Sequence, residues 1–397
     1  MKQFPENFCI LPWVSAVVPP TGGVGVCCVS SSYRLDEGME ESKLGLIRQN
    51  QTSKEMRRQF LNGEWPKGCD FCKRHSGPEN RGHDMRRMNN ERYRLHEDYK
   101  LEDFTEEPLD LIDLEINFGN ICNFKCRMCS SNNSSRWITD AQLMQDERFQ
   151  PFKDIKVNKG EFDVAQLIPY MKKLKLLQVK GGEPFLHPKF KKLLQELVNN
   201  GTSKTCSLYV ISNGSIQDPE LLDLVEQFQQ AHIAVSIDGL EPVYSYIRDG
   251  SSGLDHVTQQ MKNITDRPNI YLSNNFTLQI YNMLQVYEVT KFFSQYTNHI
   301  ILLPVMQDYL HFRNAPQAIK DEAEKQLERV LAEIKLTPDS YQRYFSALQN
   351  IREPRSEAHW QDFITYTKKL DQIRNQDFLK IEPRFKSYFP TELTESL

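Results

Sequence analysis

Three of the chain's nine cysteines stand in the run Cys122-Asn-Phe-Lys-Cys126-Arg-Met-Cys129, on a stretch opened by Gly119 and Asn120. Thiolates at this spacing, with no fourth cysteine or histidine at finger spacing, suit three irons of a cubane [4Fe–4S] cluster and leave the fourth iron without a protein ligand. An open iron can chelate a small molecule while the reduced cluster passes it an electron. A structural zinc ion is the alternative, although zinc structural sites normally close with four protein ligands. Four more cysteines lie upstream: Cys9, then Cys27 with Gly22 ahead of it, then the pair Cys69-Asp-Phe-Cys72. Four thiolates in a small segment fit either a complete cubane or a tetrahedral zinc. Cys28 adjoins Cys27 and reads as a buried thiol, a spare or a substitute ligand, and Cys206 reads as core.

These residues need a scaffold, and its pattern is α/β. Short β-rich runs at 111–118, 174–179, 207–211, 233–237, 271–278 and 300–305 alternate with helical patterns such as 188–199 and 219–230. Strand and helix in alternation predict a mostly parallel sheet with right-handed crossovers. Six such units make an incomplete barrel. The cysteine triplet then falls just after the first of these strands, at the strand end where such barrels build active sites. Residues 54–63 have helical spacing with Met56, Phe60 and Leu61 on one side, which reads as a core-facing helix, and Pro12 and Trp13 are candidates to pack over the upstream cysteines. Residues 80–100 are rich in Arg, Asn, Glu and His and read as a linker or wrapped polar segment. From Ala315 on the pattern is helical, then less regular around Pro354 and Pro383. The expected organisation is a Cys-rich module with linker over 1–95, a barrel over 108–313 and a mainly helical extension over 314–397.

Lys180-Gly181-Gly182-Glu183-Pro184 follows the second of these strands, and Ser212-Asn213-Gly214 and Ser236-Ile-Asp238-Gly239 close later ones. Paired glycines let the backbone approach a ligand, and Glu183 offers an acceptor to an ammonium group. CxxxCxxC after strand one followed by GGEP resembles the radical S-adenosylmethionine (SAM) superfamily over residues 111–313. The resemblance implies a partial (β/α)6 TIM-like barrel, with a SAM-binding [4Fe–4S] cluster on Cys122, Cys126 and Cys129. It implies that Gly181, Gly182 and Glu183 take the amino group of SAM, that Ser212, Asn213 and Ser236 contact its ribose and carboxylate, and that Arg248 pairs with the carboxylate, a task suited to its two-pronged donor geometry. The residue before the third cysteine is commonly aromatic in that superfamily and stacks near the adenine. Here it is Met128, whose apolar thioether can pack in the same place.

The spacing of Cys9, Cys27, Cys69 and Cys72 resembles the twitch module, the shorter relative of the SPASM domain, which binds a second, auxiliary [4Fe–4S] cluster. That module usually follows the barrel; here it precedes it. The implied activity is reductive cleavage of SAM to methionine and a 5′-deoxyadenosyl radical, which abstracts hydrogen from a substrate. The twitch-like module leans towards a peptide or protein, with a sugar, alcohol or nucleotide derivative as the alternative, and a flavodoxin- or ferredoxin-type protein is the expected reductant. Glu115, Asn117, Asn282 and Asp308 are candidate substrate contacts.

Composition bounds these readings. Charged residues at 26% and hydrophobic ones at 39% predict a folded globule, and a net charge of −4 gives no electrostatic case for nucleic acid or a membrane surface. No run reaches the roughly 18 apolar residues of a spanning helix, and no export pattern is seen, so a cytoplasmic location is expected. Clustered free thiols fit that reducing compartment better than a disulfide framework does. Two other classes remain open: a non-catalytic metal-stabilised binding protein, and an electron-transfer protein. Neither requires a pocket for an amino-acid head group.

Overall fold

The computed structural model describes residues 3–18, 24–27, 30, 44, 48–74, 76, 85–149, 156–158, 164–216 and 218–390. Gly22 and Cys28 lie outside the described residues. Strands β1 (Ser15–Val18), β2 (Asp113–Asn117), β3 (Leu176–Lys180), β4 (Ser207–Ser212), β5 (Gln230–Ser236), β6 (Ile270–Leu278) and β7 (Ile300–Pro304) follow sequence order in one seven-stranded sheet. With helices between the strands, this is the order of elements in a partial TIM-like barrel followed by a helical C-terminal part. Six of the strands match the expected runs, and the seventh, β1, comes from the N-terminal segment. By contacts the chain divides into two compact units.

The first unit comprises Met1–Gly119, Asn158–Val210 and Asp218–Ala231. In it β1 pairs with β2, β2 with β3 and β3 with β4, all parallel. The register puts Ala16, Leu114, Leu177 and Leu208 in one row and Val18, Ile116, Val179 and Val210 in another, all buried. Period-two alternation therefore gives the opposite face to Asp113, Glu115 and Asn117 of β2 and to Gln178 and Lys180 of β3. Polar groups there pair with one another: Lys180 Nζ lies 2.8 Å from Glu115 Oε2, and Gln178 Nε2 donates to Asp113 Oδ1 at 3.0 Å. The helix Pro188–Asn199 begins on a proline, His187 caps it by accepting from the Lys189 amide, and Phe190, Leu193, Leu194 and Leu197 form its buried stripe.

The N-terminal segment of this unit is tied together by two buried arginines. Arg57 donates to the carbonyls of Pro12, Glu106 and Arg48, and Arg48 donates to those of Trp13 and Leu109. Burial lowers both guanidinium pKa values to about 10, which leaves them charged at neutral pH. The polar stretch expected as linker is helical in its described part, over Met85–Arg92 and Leu95–Asp98. Asn90 explains why: its side chain donates to the Phe8 carbonyl and accepts from the Ile10 amide, so a polar helix face is the packing face.

The second unit comprises Asn120–Val157, Ile211–Gln217 and His232–Leu397. Here β6 and β7 pair in parallel. The helices Gln317–Glu333, Pro338–Ile351 and Glu357–Arg374 make up most of the C-terminal part. Trp360, Phe363, Phe378, Phe385 and Phe389 form its aromatic core. No helix among the described residues is long and apolar enough to cross a membrane.

Candidate iron–sulfur centres

Within the second unit, the cysteine loop is folded by its own polar side chains. Asn120 Nδ2 donates to the carbonyls of Ser131 and Lys156, Ser134 Oγ donates to the Phe124 carbonyl, and Trp137 Nε1 donates to the Cys126 carbonyl at 2.7 Å. The loop is also paired with the segment after β5: the amide of Lys125 donates to the Asp249 carbonyl, and that of Arg127 to the Ile247 carbonyl. Gly250 closes that pairing at φ +90, where an added Cβ would sit 2.8 Å from the Asn123 carbonyl oxygen. Only a glycine fits there.

Cys126 is buried and Cys122 and Cys129 are half-buried, none of them in a disulfide. Two of the three sulfurs attract donors. Cys122 Sγ receives the Phe124 amide at 3.4 Å and Asn213 Nδ2 at 3.9 Å, and Cys126 Sγ receives Arg248 Nη1 at 3.6 Å. Burial pushes the Cys126 thiol up, against the pull of Arg248, and burial with the neighbouring Cys126 and Cys122 pushes Cys129 up. Metal binding at such thiols must release their protons, so its free energy has to cover that deprotonation.

Other expected contacts in this unit are partly structural. Ser212 Oγ accepts from the Gly214 amide, and Asn213 Oδ1 from the Ser215 amide, while Asn213 Nδ2 also donates to Asn123 Oδ1 at 2.8 Å. Ser236 ends β5, half-buried. Met128 is half-buried and its carbonyl accepts from Gln307 Nε2 at 2.7 Å. Asn282 donates to the carbonyls of Asp238 and Thr277 and accepts from the Gln279 amide, so it is engaged in holding the loop after β6. Asp308 is exposed and pairs with Arg313.

Sequence reasoning missed Arg127, which is wholly buried between the second and third cysteines. Its guanidinium pairs with Asp371, donates to the side-chain carbonyl of Gln376 at 2.7 Å and lies 3.6 Å from the centre of the Tyr246 ring. Its carbonyl accepts from Tyr366 Oη. Helix Glu357–Arg374 thus holds the loop from within the same unit. An arginine inside the motif signals a need for a carboxylate, but nothing local identifies a partner 244 positions on.

In the first unit, Gly181 and Gly182 have φ of +91 and +53. A Cβ on Gly181 would fall 1.6 Å from Asn117 Oδ1, so this turn requires glycine for space as well as for backbone. Glu183 is buried and its Oε1 accepts from the Phe185 amide at 3.2 Å. Glu115 is buried in its ion pair, and Asn117 Oδ1 accepts from the Gly119 amide.

The same unit gathers Cys9, Cys27, Cys69 and Cys72 around one pocket, with Pro12, Met56, Phe60 and Trp65 in its wall. Burial raises the Cys9 thiol well above its ordinary value, and Cys27, Cys69 and Cys72 each add to the rise. Cys69 is pushed up to about 12 by burial, then by Cys72 and Asp70. Cys9 and Cys69, whose ionisation the neighbouring thiols disfavour, suit a polycation beside them. Trp13 does not reach the pocket wall; it stacks on Phe8 and donates to the Thr105 carbonyl. Cys206 is buried, as expected of a core thiol. Among the described residues, no group of three or more His, Cys, Asp or Glu is arranged as a ready-made site for a single metal ion.

Residues 116–282 match the family model described as the radical SAM superfamily. That segment is less than half of the chain. It contains the cysteine triplet, GGEP and Arg248, and the upstream cysteines lie outside it. The match supports an enzyme, with SAM and a [4Fe–4S] cluster as the cofactors of the matched family. No curated protein matches. Solved structures that match part of the chain include anSMEcpe with bound AdoMet (15% identity, 55% of this chain and 56% of that one, TM-score 0.41). They also include Streptococcus suis SuiB bound to S-adenosylmethionine (12%, 56% and 45%, 0.35). A third is the radical S-adenosylmethionine methyltransferase TsrM from Kitasatospora setae with cobalamin and a [4Fe–4S] cluster (14%, 73% and 55%, 0.37). The match spans less than two thirds of the length of each of these three chains.

Proposed function

We propose that the chain cleaves SAM reductively and uses the radical to take a hydrogen atom from a peptide or protein substrate. The observation that carries this reading is the cysteine loop, where three thiols outside any disulfide share one stretch of backbone and two receive N–H donors. The donor set fits a cubane: three soft thiolates, with polar hydrogens directed at the sulfurs as in the surroundings of protein-bound iron–sulfur clusters. Cys122, Cys126 and Cys129 would hold it. A cluster held there would supply the electron for reductive cleavage of the S–C5′ bond of SAM, to methionine and a 5′-deoxyadenosyl radical.

The chain's own residues do the rest. Gly181 and Gly182 open backbone to the methionine end of SAM and Glu183 accepts from its ammonium group, while Ser212, Asn213 and Ser236 serve its ribose and carboxylate. Met128 packs at the adenine. Cys9, Cys27, Cys69 and Cys72 form a twitch-like module holding a second [4Fe–4S] cluster, and that module is the reason for preferring a peptide or protein over a small molecule. The reductant in this reading is a flavodoxin- or ferredoxin-type protein, in the cytoplasm.

The test is anaerobic incubation of the iron-loaded protein with SAM and a strong reductant, read as 5′-deoxyadenosine formed. Product that disappears in Cys122→Ala, Cys126→Ala and Cys129→Ala supports the reading. A fully loaded protein that forms none, with or without candidate peptides, overturns it.

A further inference from the structure

Arg248 is expected, from the family resemblance, at the carboxylate of SAM. In the structure its guanidinium is turned elsewhere. Nε and Nη2 both point to Asp238 Oδ2, at 2.7 and 2.6 Å, and Nη1 reaches Cys126 Sγ at 3.6 Å. Both side chains of the pair are withdrawn from solvent, with 8% and 0% of their surface exposed. The anchor itself is fixed: Asp238 Oδ1 accepts from the Thr277 amide at 2.7 Å, and the Asp238 carbonyl accepts from Asn282. A planar fork whose Nε and Nη2 are held by one carboxylate oxygen fixes the direction of the Nη1 N–H bond that meets a sulfur. That direction is the middle cysteine of the triplet.

An arginine keeps its charge in proteins, and here Asp238 is its buried counter-ion. The pair is built to keep a cationic N–H on one sulfur.

We propose that Arg248, oriented by Asp238, is a positioning residue that hydrogen-bonds the Cys126 thiolate and raises the reduction potential of the cluster on that loop. The inference rests on the cluster proposed above and goes beyond it, since it assigns Arg248 to a sulfur instead of to SAM. Reduction adds one electron, and no proton, from the external low-potential reductant. The added negative charge spreads onto the cysteine sulfurs, where an N–H donor with a positive charge behind it stabilises the reduced form more than the oxidised one. Asn213 and the Phe124 amide, neutral donors on Cys122, act in the same sense but more weakly.

The experiment is potentiometric EPR of the loaded protein without SAM, comparing wild type with Arg248→Gln and Arg248→Lys at equal iron content. Gln keeps an N–H but removes the charge. At a fixed applied potential the ratio of reduced to oxidised cluster should fall about tenfold in Arg248→Gln, which for a one-electron couple is about 59 mV, and Arg248→Lys should recover most of the loss. A second measurement needs no variant: wild-type protein carrying arginine labelled with 15N in the guanidinium should show a 15N coupling to the reduced cluster. An unchanged midpoint in a fully loaded Arg248→Gln, or a missing 15N coupling, overturns the proposal. So does an unchanged midpoint with weakened SAM binding, which returns Arg248 to the carboxylate. Wild-type protein that takes up no cluster sinks the proposed function itself, an outcome distinct from the others.

Discussion

Replacing Asp371 by alanine should unseat the cysteine loop from a distance. The Arg127 guanidinium has no exposed surface and Asp371 is its carboxylate partner, so the variant leaves a charge buried without a counter-ion. Two further bonds go with it: Tyr246 Oη donates to Asp371 Oδ1 and the Phe378 amide to Oδ2, each at 2.7 Å. Breaking one side of a buried pair costs about 3–5 kcal/mol, and Gln376 with the Tyr246 ring offsets part of that for Arg127. A net loss of about 3 kcal/mol is expected from these opposing effects. Urea denaturation of the protein measures it. Arg127→Met with Asp371→Leu, which removes both charges, should cost much less than Asp371→Ala alone. An Asp371→Ala protein within about 0.5 kcal/mol of wild type, or a double variant worse than the single one, would refute the view that helix Glu357–Arg374 holds the loop through this pair. The same variant should lose iron faster than wild type under a chelator.

Three other outcomes follow from the geometry. Gly181→Ala, whose new Cβ meets Asn117 Oδ1 at 1.6 Å and whose φ is +91, should cost roughly 2–4 kcal/mol of stability and weaken SAM binding, read by denaturation and by equilibrium binding. Stability should fall as pH drops from 7 to 5, because burial holds His232 and His311 down at about 4 while the unfolded rings take protons near their ordinary 6.5. The unfolded state then binds more protons in that window. The loss should be about 2 kcal/mol in total after allowing for the partial exposure of these rings, and His232→Asn with His311→Asn should flatten the slope. Alanine at Cys69 and Cys72 should lower iron from about eight per chain to about four while leaving a SAM-responsive EPR signal; loss of that signal would contradict two independent centres.

Much of this was legible in the sequence because the relevant signals are local. Strands β2 to β7 announce themselves by apolar runs between turn residues, and the cysteine triplet, GGEP and the following glycines are contiguous motifs. The helix Pro188–Asn199 appears at its expected bounds because its capping His187, its proline and its apolar stripe all agree. Strand β1 was invisible: Ser-Ala-Val-Val is too short to show alternation, and its partner β2 lies nearly a hundred residues on. The helices Met85–Arg92 and Leu95–Asp98 were hidden because their packing depends on an asparagine bonded to the turn at Phe8 and not on an apolar face. The pattern over 219–230 overran the helix, which stops at Val225, since Gln230 already starts β5. Arg248 reads from sequence as a ligand for an anion, and its pairing with Asp238 and contact with Cys126 show only in the fold.

The account turns on an iron left open by three thiolates. The most direct measurement is EPR of the anaerobically reconstituted, reduced protein with and without SAM, alongside iron and sulfide content. The account predicts a [4Fe–4S] signal whose g values shift when SAM is added, and which Cys126→Ala abolishes. A loaded cluster whose spectrum is indifferent to SAM would contradict it.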